Sequence, residues 1–319
     1  LSTYFYLQGT MPLAYCLMMI VASFMIFGEL KSAGSGMATL RLAEVSIDRA
    51  NELDEVPVMA EGQIDKSPVS HDIEFQNVHF AYEKRTILES VNFKISDRTM
   101  TAIVGPSGSG KTTICNLIAR FWDVNSGQVL IGGQDVKSYT LSELMSNISM
   151  VFQNVYLFAD TIENNIKFGK PDATHEEVVE AARKACCDDF ISDLPDGYNT
   201  LIGEGGASLS GGEKQRLSIA RAMLKDAPIV IFDEATANVD PENEDRLQAA
   251  IEELTKNKTI IMIAHRLKTV RNADQILVVN GGHIVQQGRH DDLIKQKGIY
   301  ADFVSGRKQA IGWKLGAGN

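Results

Sequence analysis

The sequence predicts an α/β fold built on a mainly parallel sheet, preceded by one membrane-crossing helix and its cytosolic extension. Three observations carry this reading. From Ile73 onward, short apolar runs alternate with helix-patterned stretches, as strands joined by helical crossovers do. One of those runs leads into Gly105-Pro106-Ser107-Gly108-Ser109-Gly110-Lys111-Thr112, which fits the pattern of a glycine-rich phosphate loop. Ahead of both, residues 1–28 carry no charged side chain, and Glu29 is the first.

The N-terminal run Met11 to Phe27 is apolar apart from Pro12 and Ser23. At about 17 residues it is at the short end of what spans a bilayer as a helix. A buried core helix is the alternative. A signal peptide would need a basic n-region and a small-residue cleavage site, and neither is visible. The first residue is Leu1, which predicts that the chain begins inside a longer protein. Lys31 and Arg41 follow the span and place that flank in the cytosol.

Leu30 to Val56 reads as a helical extension. Leu40, Ala43, Ile47, Ala50 and Leu53 fall at three- and four-residue spacing on one stripe. Gly34 and Gly36 weaken it near the membrane. Pro57, Gly62 and Pro68 mark a linker. The expected organisation is therefore a membrane segment at 1–56, a linker at 57–72, a globular domain at 73–308 and a tail at 309–319.

Within the globular part, Ile73–Phe80 alternates apolar and polar residues, the pattern of a half-buried strand. Met100–Val104, Asn147–Phe152, Ile229–Phe232, Thr259–Ala264 and Gln275–Val279 read as further strands. Ile114–Phe121 is the apolar run after the glycine-rich turn. Thr174–Ala185 and Gly212–Leu224 read as helices. The net charge of −10 argues against broad nucleic-acid binding, which needs clustered Lys and Arg. Cys16, Cys115, Cys186 and Cys187 show no metal-site spacing and are expected to be reduced thiols.

The loop motif points to chemistry. Its glycines let successive backbone N–H groups turn inward on a phosphate, and the helix that follows adds partial positive charge. Lys111 supplies a full charge, and the Thr112 hydroxyl suits Mg²⁺. The strand Ile229–Phe232 delivers a second element, Asp233-Glu234. Asp233 suits the metal shell, and Glu234 suits a general base that activates water against a terminal phosphate.

The string Leu209-Ser210-Gly211-Gly212-Glu213 completes a pattern that resembles the nucleotide-binding domain of ABC transporters, over about residues 73–308. The resemblance implies a P-loop NTPase with a RecA-like core and a helical subdomain, with ATP and Mg²⁺ as ligand and cofactor. It implies that residues 105–113, including Thr113, hold ATP. The signature string would face ATP held by a second nucleotide-binding domain, and its glycines and hydroxyl at a helix start suit an anion. Tyr82, 23 residues before Gly105, resembles the aromatic residue that stacks on adenine. Gln153 resembles the glutamine that touches Mg²⁺, and Ala237-Asn238-Val239-Asp240 resembles the D-loop. His265 resembles the switch histidine near the γ-phosphate. The remaining histidines, His71, His79, His175, His283 and His290, carry no such expectation.

Thr161-Ile162-Glu163-Asn164-Asn165-Ile166 and Gly203-Glu204-Gly205-Gly206 resemble exporter-type members, in which one chain carries six membrane helices and the ATPase domain. Gly205 stands where that branch usually has Arg. The resemblance implies an integral membrane protein with the ATPase domain on the cytoplasmic side. Its partner would be a second such domain, in a homodimer or heterodimer, and its cargo an unknown small molecule. The same fold running uptake, for example of a metal–siderophore complex, is the alternative. A soluble ABC ATPase of repair or translation is a further one, opposed by the apolar N-terminus.

Overall fold

The computed structural model describes residues 1–54, 58–206, 209–233, 241–264 and 270–305. The chain divides into two compact units, Leu1–Met59 and Ala60–Asn319. The first holds a short helix α1 (Ser2–Leu7) and a long one, α2 (Leu13–Asp54). α2 runs unbroken for 42 residues, about 63 Å at the helical rise. Gly34 and Gly36 do not interrupt it, since each costs only about 1 kcal/mol relative to alanine. Its most apolar 18-residue window has a mean hydropathy of 2.0 and is 6% buried. Phe24, Met25 and Phe27 are exposed. A helix apolar on all sides is stable in hydrocarbon and not in water.

In the second unit the elements run β1 (Ile73–Tyr82), β2 (Arg85–Ile95), β3 (Met100–Val104), α3 (Lys111–Ile118), β4 (Ser126–Ile131), β5 (Gln134–Asp135), α4 (Leu141–Ser146) and β6 (Ile148–Val151). They continue as α5 (Ile162–Lys167), α6 (His175–Lys184), α7 (Asp188–Ser192), α8 (Gly211–Lys225), β7 (Ile229–Asp233), α9 (Pro241–Leu254), β8 (Thr259–Ile263), β9 (Gln275–Asn280) and β10 (His283–Gly288). One sheet has six strands in the order β10-β9-β3-β8-β7-β6. All its pairs are parallel except β9 with β10. That exception is a hairpin turned by Gly281 and Gly282, both at positive φ, as a two-residue turn requires.

A second sheet, β2-β1-β4-β5, is wholly antiparallel. It stands beside the mainly parallel sheet that the sequence predicts. Its strand β2 buries Val91, Phe93 and Ile95 and exposes the residues between them, the alternation of a sheet with one wet face. α3 lies between the two sheets. Ile114, Leu117 and Ile118 pack in one core with Phe75, Phe93 and Val129 of the antiparallel sheet and with Ile103, Ile231, Ile261 and Leu277 of the other. The opposite face of the six-stranded sheet, through Val230, Phe232 and Ile260, packs with Leu217 and Ile219 of α8 and Leu247 and Ile251 of α9. Alternate residues of β7 thus serve two cores, as the period of a strand dictates.

Part of the segment expected as a linker is docked on this unit. The backbone N–H groups of Gln63 and Ile64 both donate to the Ser138 carbonyl, at 2.9 Å. A Cβ on Gly62 would overlap the Ser138 backbone. All four cysteines are free thiols.

Candidate nucleotide-binding site

The four strands β3, β6, β7 and β8 are parallel, so their carboxyl ends emerge at one edge of the sheet, where α/β folds place ligands. β3 ends at Val104 and passes into the glycine-rich loop. Gly105 has φ +153°, and a Cβ there would be driven into the Val279 carbonyl oxygen of β9. Gly110 has φ +107° and backs onto Leu88, whose Cδ2 would lie 2.7 Å from an added Cβ. Both positions therefore need glycine, one for close approach and one for both conformation and space. Pro106, Ser107 and Gly108 are exposed at the crest of the loop.

Lys111 opens α3 and is buried. Its ammonium donates to the carbonyls of Gly105 at 3.1 Å and Pro106 at 2.8 Å, which arches the loop around one positive charge. The Ser109 hydroxyl is buried and has no hydrogen-bond partner among the described residues. An orphaned hydroxyl beside a lysine at a helix N-terminus fits an anionic ligand. Thr113 points into the fold and is buried, while Thr112 is exposed. The Thr112 hydroxyl donates to Asp233 Oδ1 at 3.4 Å, so the loop helix and the end of β7 meet there. A hydroxyl and a carboxylate at this spacing form a donor set suited to a hard cation such as Mg²⁺. Cys115, one turn further along α3, is fully buried. Burial, with a smaller push from the Asp233 charge, raises its thiol far above the usual 9.0, so it is no nucleophile.

Gln153 lies just beyond β6 and is exposed. Its loop is tied to α8 by Gln215, whose Nε2 donates to the Phe152 carbonyl at 3.2 Å. Glu234, Asp240 and His265 lie outside the described residues.

Tyr82 ends β1. Its ring stands perpendicular to Phe80, with centroids 4.7 Å apart, and to Trp122, at 5.2 Å. Trp122 was not among the expected site residues. Its only sequence signal is an aromatic pair, Phe121-Trp122, closing the apolar run after the loop.

Ser210 caps α8, preceded by Leu209. The Glu213 N–H donates to the Ser210 hydroxyl at 3.3 Å, and the Ser210 N–H donates to Glu213 Oε2 at 2.7 Å. The two bonds form a reciprocal capping box. The N–H groups of Ser210 and Glu213 are spent on each other, and those of Gly211 and Gly212 remain at the helix start. Just upstream, Gly205 adopts φ +64° with no atom within 4 Å of an added Cβ. Glycine there avoids the cost that a side chain would bring to a left-handed backbone. The Lys214 ammonium donates to the Gly205 carbonyl at 2.9 Å.

Residues 88–237 match the ABC transporter family. The chain is 43% identical over 289 residues to an ATP-dependent lipid A-core flippase of Legionella pneumophila (strain Paris), covering 90% of this chain and 49% of that protein. It is 45% identical over 271 residues to the ATP-dependent lipid A-core flippase of Escherichia coli (strain K12), covering 84% and 46%. The structure of a bacterial Atm1-family ABC exporter with ATP bound superposes with a TM-score of 0.78 at 35% identity, covering 96% of this chain and 54% of that one. The chain thus spans about half the length of these relatives. With its phosphate loop and its signature helix, the chain carries an ABC transporter ATPase domain over residues 88–237 and is similar to exporter-type members of that family.

Proposed function

We propose that the chain binds and hydrolyses ATP and drives export across the cell membrane, with its ATPase domain on the cytoplasmic side. The observation that carries this is the meeting of Thr112 with Asp233 beside the arched loop around Lys111. Residues 105–113 hold the phosphates, and Tyr82 stacks on adenine. Thr112, Asp233 and Gln153 hold Mg²⁺, which when bound neutralises charge on the phosphates. Glu234 accepts a proton from water as the water oxygen bonds to the γ-phosphorus. The bond from that phosphorus to the bridging oxygen breaks, and ADP leaves with the electron pair. His265 steadies the γ-phosphate, and Asp240 links the two sites of a dimer.

The signature residues Leu209 to Glu213 act on ATP held by a second nucleotide-binding domain, of an identical or a related chain. Closure of that dimer on two ATP molecules moves the membrane helices, and hydrolysis resets them. Export is favoured over uptake because the similar proteins are flippases and an exporter. α2, apolar and exposed, supports anchorage in the membrane.

Glu234→Gln tests the assignment. It removes the carboxylate charge and keeps the shape, so hydrolysis should fall about 10²- to 10⁴-fold while ATP binding survives. Turnover close to that of the unaltered protein would refute the role of Glu234 as base.

A further inference from the structure

We propose that Trp122 is a positioning residue for base recognition, holding the Tyr82 ring in the plane on which a purine base stacks. The inference rests on the reading of Tyr82 as the adenine platform. Two rings adjoin Tyr82 perpendicularly, Phe80 at 88° and Trp122 at 86°, and these two lie 6.4 Å from each other. Edge-to-face contacts set a positive ring edge against a negative ring face and so fix the angle between planes. Phe80 is buried in the core, whereas Trp122 is 52% exposed. An indole half in water adds little to a core, but this one stands at the rim of the Tyr82 surface.

The backbone holds Trp122 there firmly. Arg120, just past the end of α3, adopts φ +51° although it is not glycine. Its buried guanidinium donates to Asp123 Oδ1 at 3.0 Å, to the Tyr139 carbonyl at 3.5 Å and to the Ala60 carbonyl at 2.6 Å. These bonds hold a turn that a side chain disfavours, and Arg120 and Asp123 bracket Trp122 on both sides. The same loop is stapled to β1: the Ala81 N–H donates to Asn125 Oδ1 at 2.7 Å, and the Asn125 N–H donates to the His79 carbonyl at 3.1 Å. The loop that leaves the phosphate-binding helix thus also sets the base platform, so both ends of a nucleotide are referred to one rigid body.

The test uses the full chain in detergent micelles and two probes, ATP·Mg²⁺ and tripolyphosphate·Mg²⁺, which has phosphates and no base. Trp122→Ala should weaken ATP binding about three- to tenfold, the worth of one aromatic pair, and leave tripolyphosphate binding unchanged. Trp122→Phe, which keeps a ring edge, should restore most of the ATP affinity. With Trp313→Phe in the background, Trp122 is the sole tryptophan, and its emission should respond to ATP and not to tripolyphosphate. Unchanged ATP affinity in Trp122→Ala, or equal loss for both probes, overturns the inference. A loss that persists undiminished in a Tyr82→Ala background also overturns it, because Trp122 would then not act through Tyr82. If Tyr82→Ala itself leaves ATP affinity intact, the platform reading fails instead.

Discussion

Alanine at Gly105 and at Gly108 separates two reasons for glycine in a phosphate loop. At Gly108 the φ of +76° is left-handed, but no atom lies within 4 Å of an added Cβ. Only the backbone conformation is penalised, by about 1–2 kcal/mol. At Gly105 the φ of +153° is also unfavourable, and the Cβ is driven into the Val279 carbonyl oxygen. That oxygen cannot retreat, because β9 is held by β3 on one side and β10 on the other. The loop must move. Overpacking of this kind costs about 1–3 kcal/mol and the strained backbone about 1–3 kcal/mol, so Gly105→Ala should lose roughly 2–6 kcal/mol of a total stability of about 5–15 kcal/mol. The same displacement takes the Gly105 carbonyl away from the Lys111 ammonium, now 3.1 Å off. A charged hydrogen bond is worth about 1.5–3 kcal/mol to the loop, and because the displaced loop no longer presents its N–H groups in register, ATP affinity should fall as well. Urea unfolding followed by tryptophan emission, together with calorimetric titration of ATP·Mg²⁺, measures both. If Gly105→Ala is no less stable than Gly108→Ala, the packing of the loop on β9 is not what demands glycine, and the reasoning is refuted.

Two further predictions concern the helical part of the second unit and the proposed dimer. Lys111→Ala and Ser210→Arg chains, each inactive alone, should recover partial hydrolysis when mixed, because one composite site then keeps both intact residues. Failure to recover any activity in mixed dimers of proven composition counts against a shared site. The Glu163 carboxylate accepts hydrogen bonds from Lys167 and from His175, each at 2.8 Å, and the Lys167 bond above all holds it below its ordinary 4.5. A carboxylate depressed by folding contributes stability above its unfolded pKa and loses it as pH falls through the lower folded value. Melting temperature should therefore fall more steeply below pH 4.5 in the unaltered chain than in Glu163→Gln, and parallel curves would dismiss the ion pair as a pH-dependent contributor.

What was legible in the sequence was local. The parallel strands β3, β7, β8 and β9 stand where short buried apolar runs place them, within a residue or two. β2 and β4 were missed although Val91, Phe93 and Ile95 alternate, because that alternation sits among Glu89, Asn92 and Lys94 and invites a surface-loop reading. β10 was missed although Asn280-Gly281-Gly282-His283 is a hairpin signal. In the site, Gly105 to Thr112 and Leu209 to Glu213 are consecutive in the chain, so their loop and helix-start geometries follow from residue type. Contacts such as Gly105 against Val279, Gln215 with Phe152, and Trp122 with Tyr82 join residues far apart in sequence, and only folding brings them together.

The capping box at α8 bears on how the signature residues would meet an anion. Ser and Glu three residues apart at a helix start have two available uses: to bind an anion, or to satisfy each other. In this fold they satisfy each other, and the Glu213 carboxylate sits at the very end where the helix dipole is positive. A negative charge there weakens the field offered to a phosphate, but it also holds the first turn in its final shape before any ligand arrives. The two glycines then present their N–H groups without side chains in the way. Their freedom would otherwise cost order at a helix start, and the cap on either side of them supplies that order. Ser210 can still donate its hydroxyl hydrogen while accepting from Glu213. The arrangement thus exchanges some attraction for preorganisation, which suits the role proposed above, engaging phosphate held by a partner domain and releasing it in every cycle.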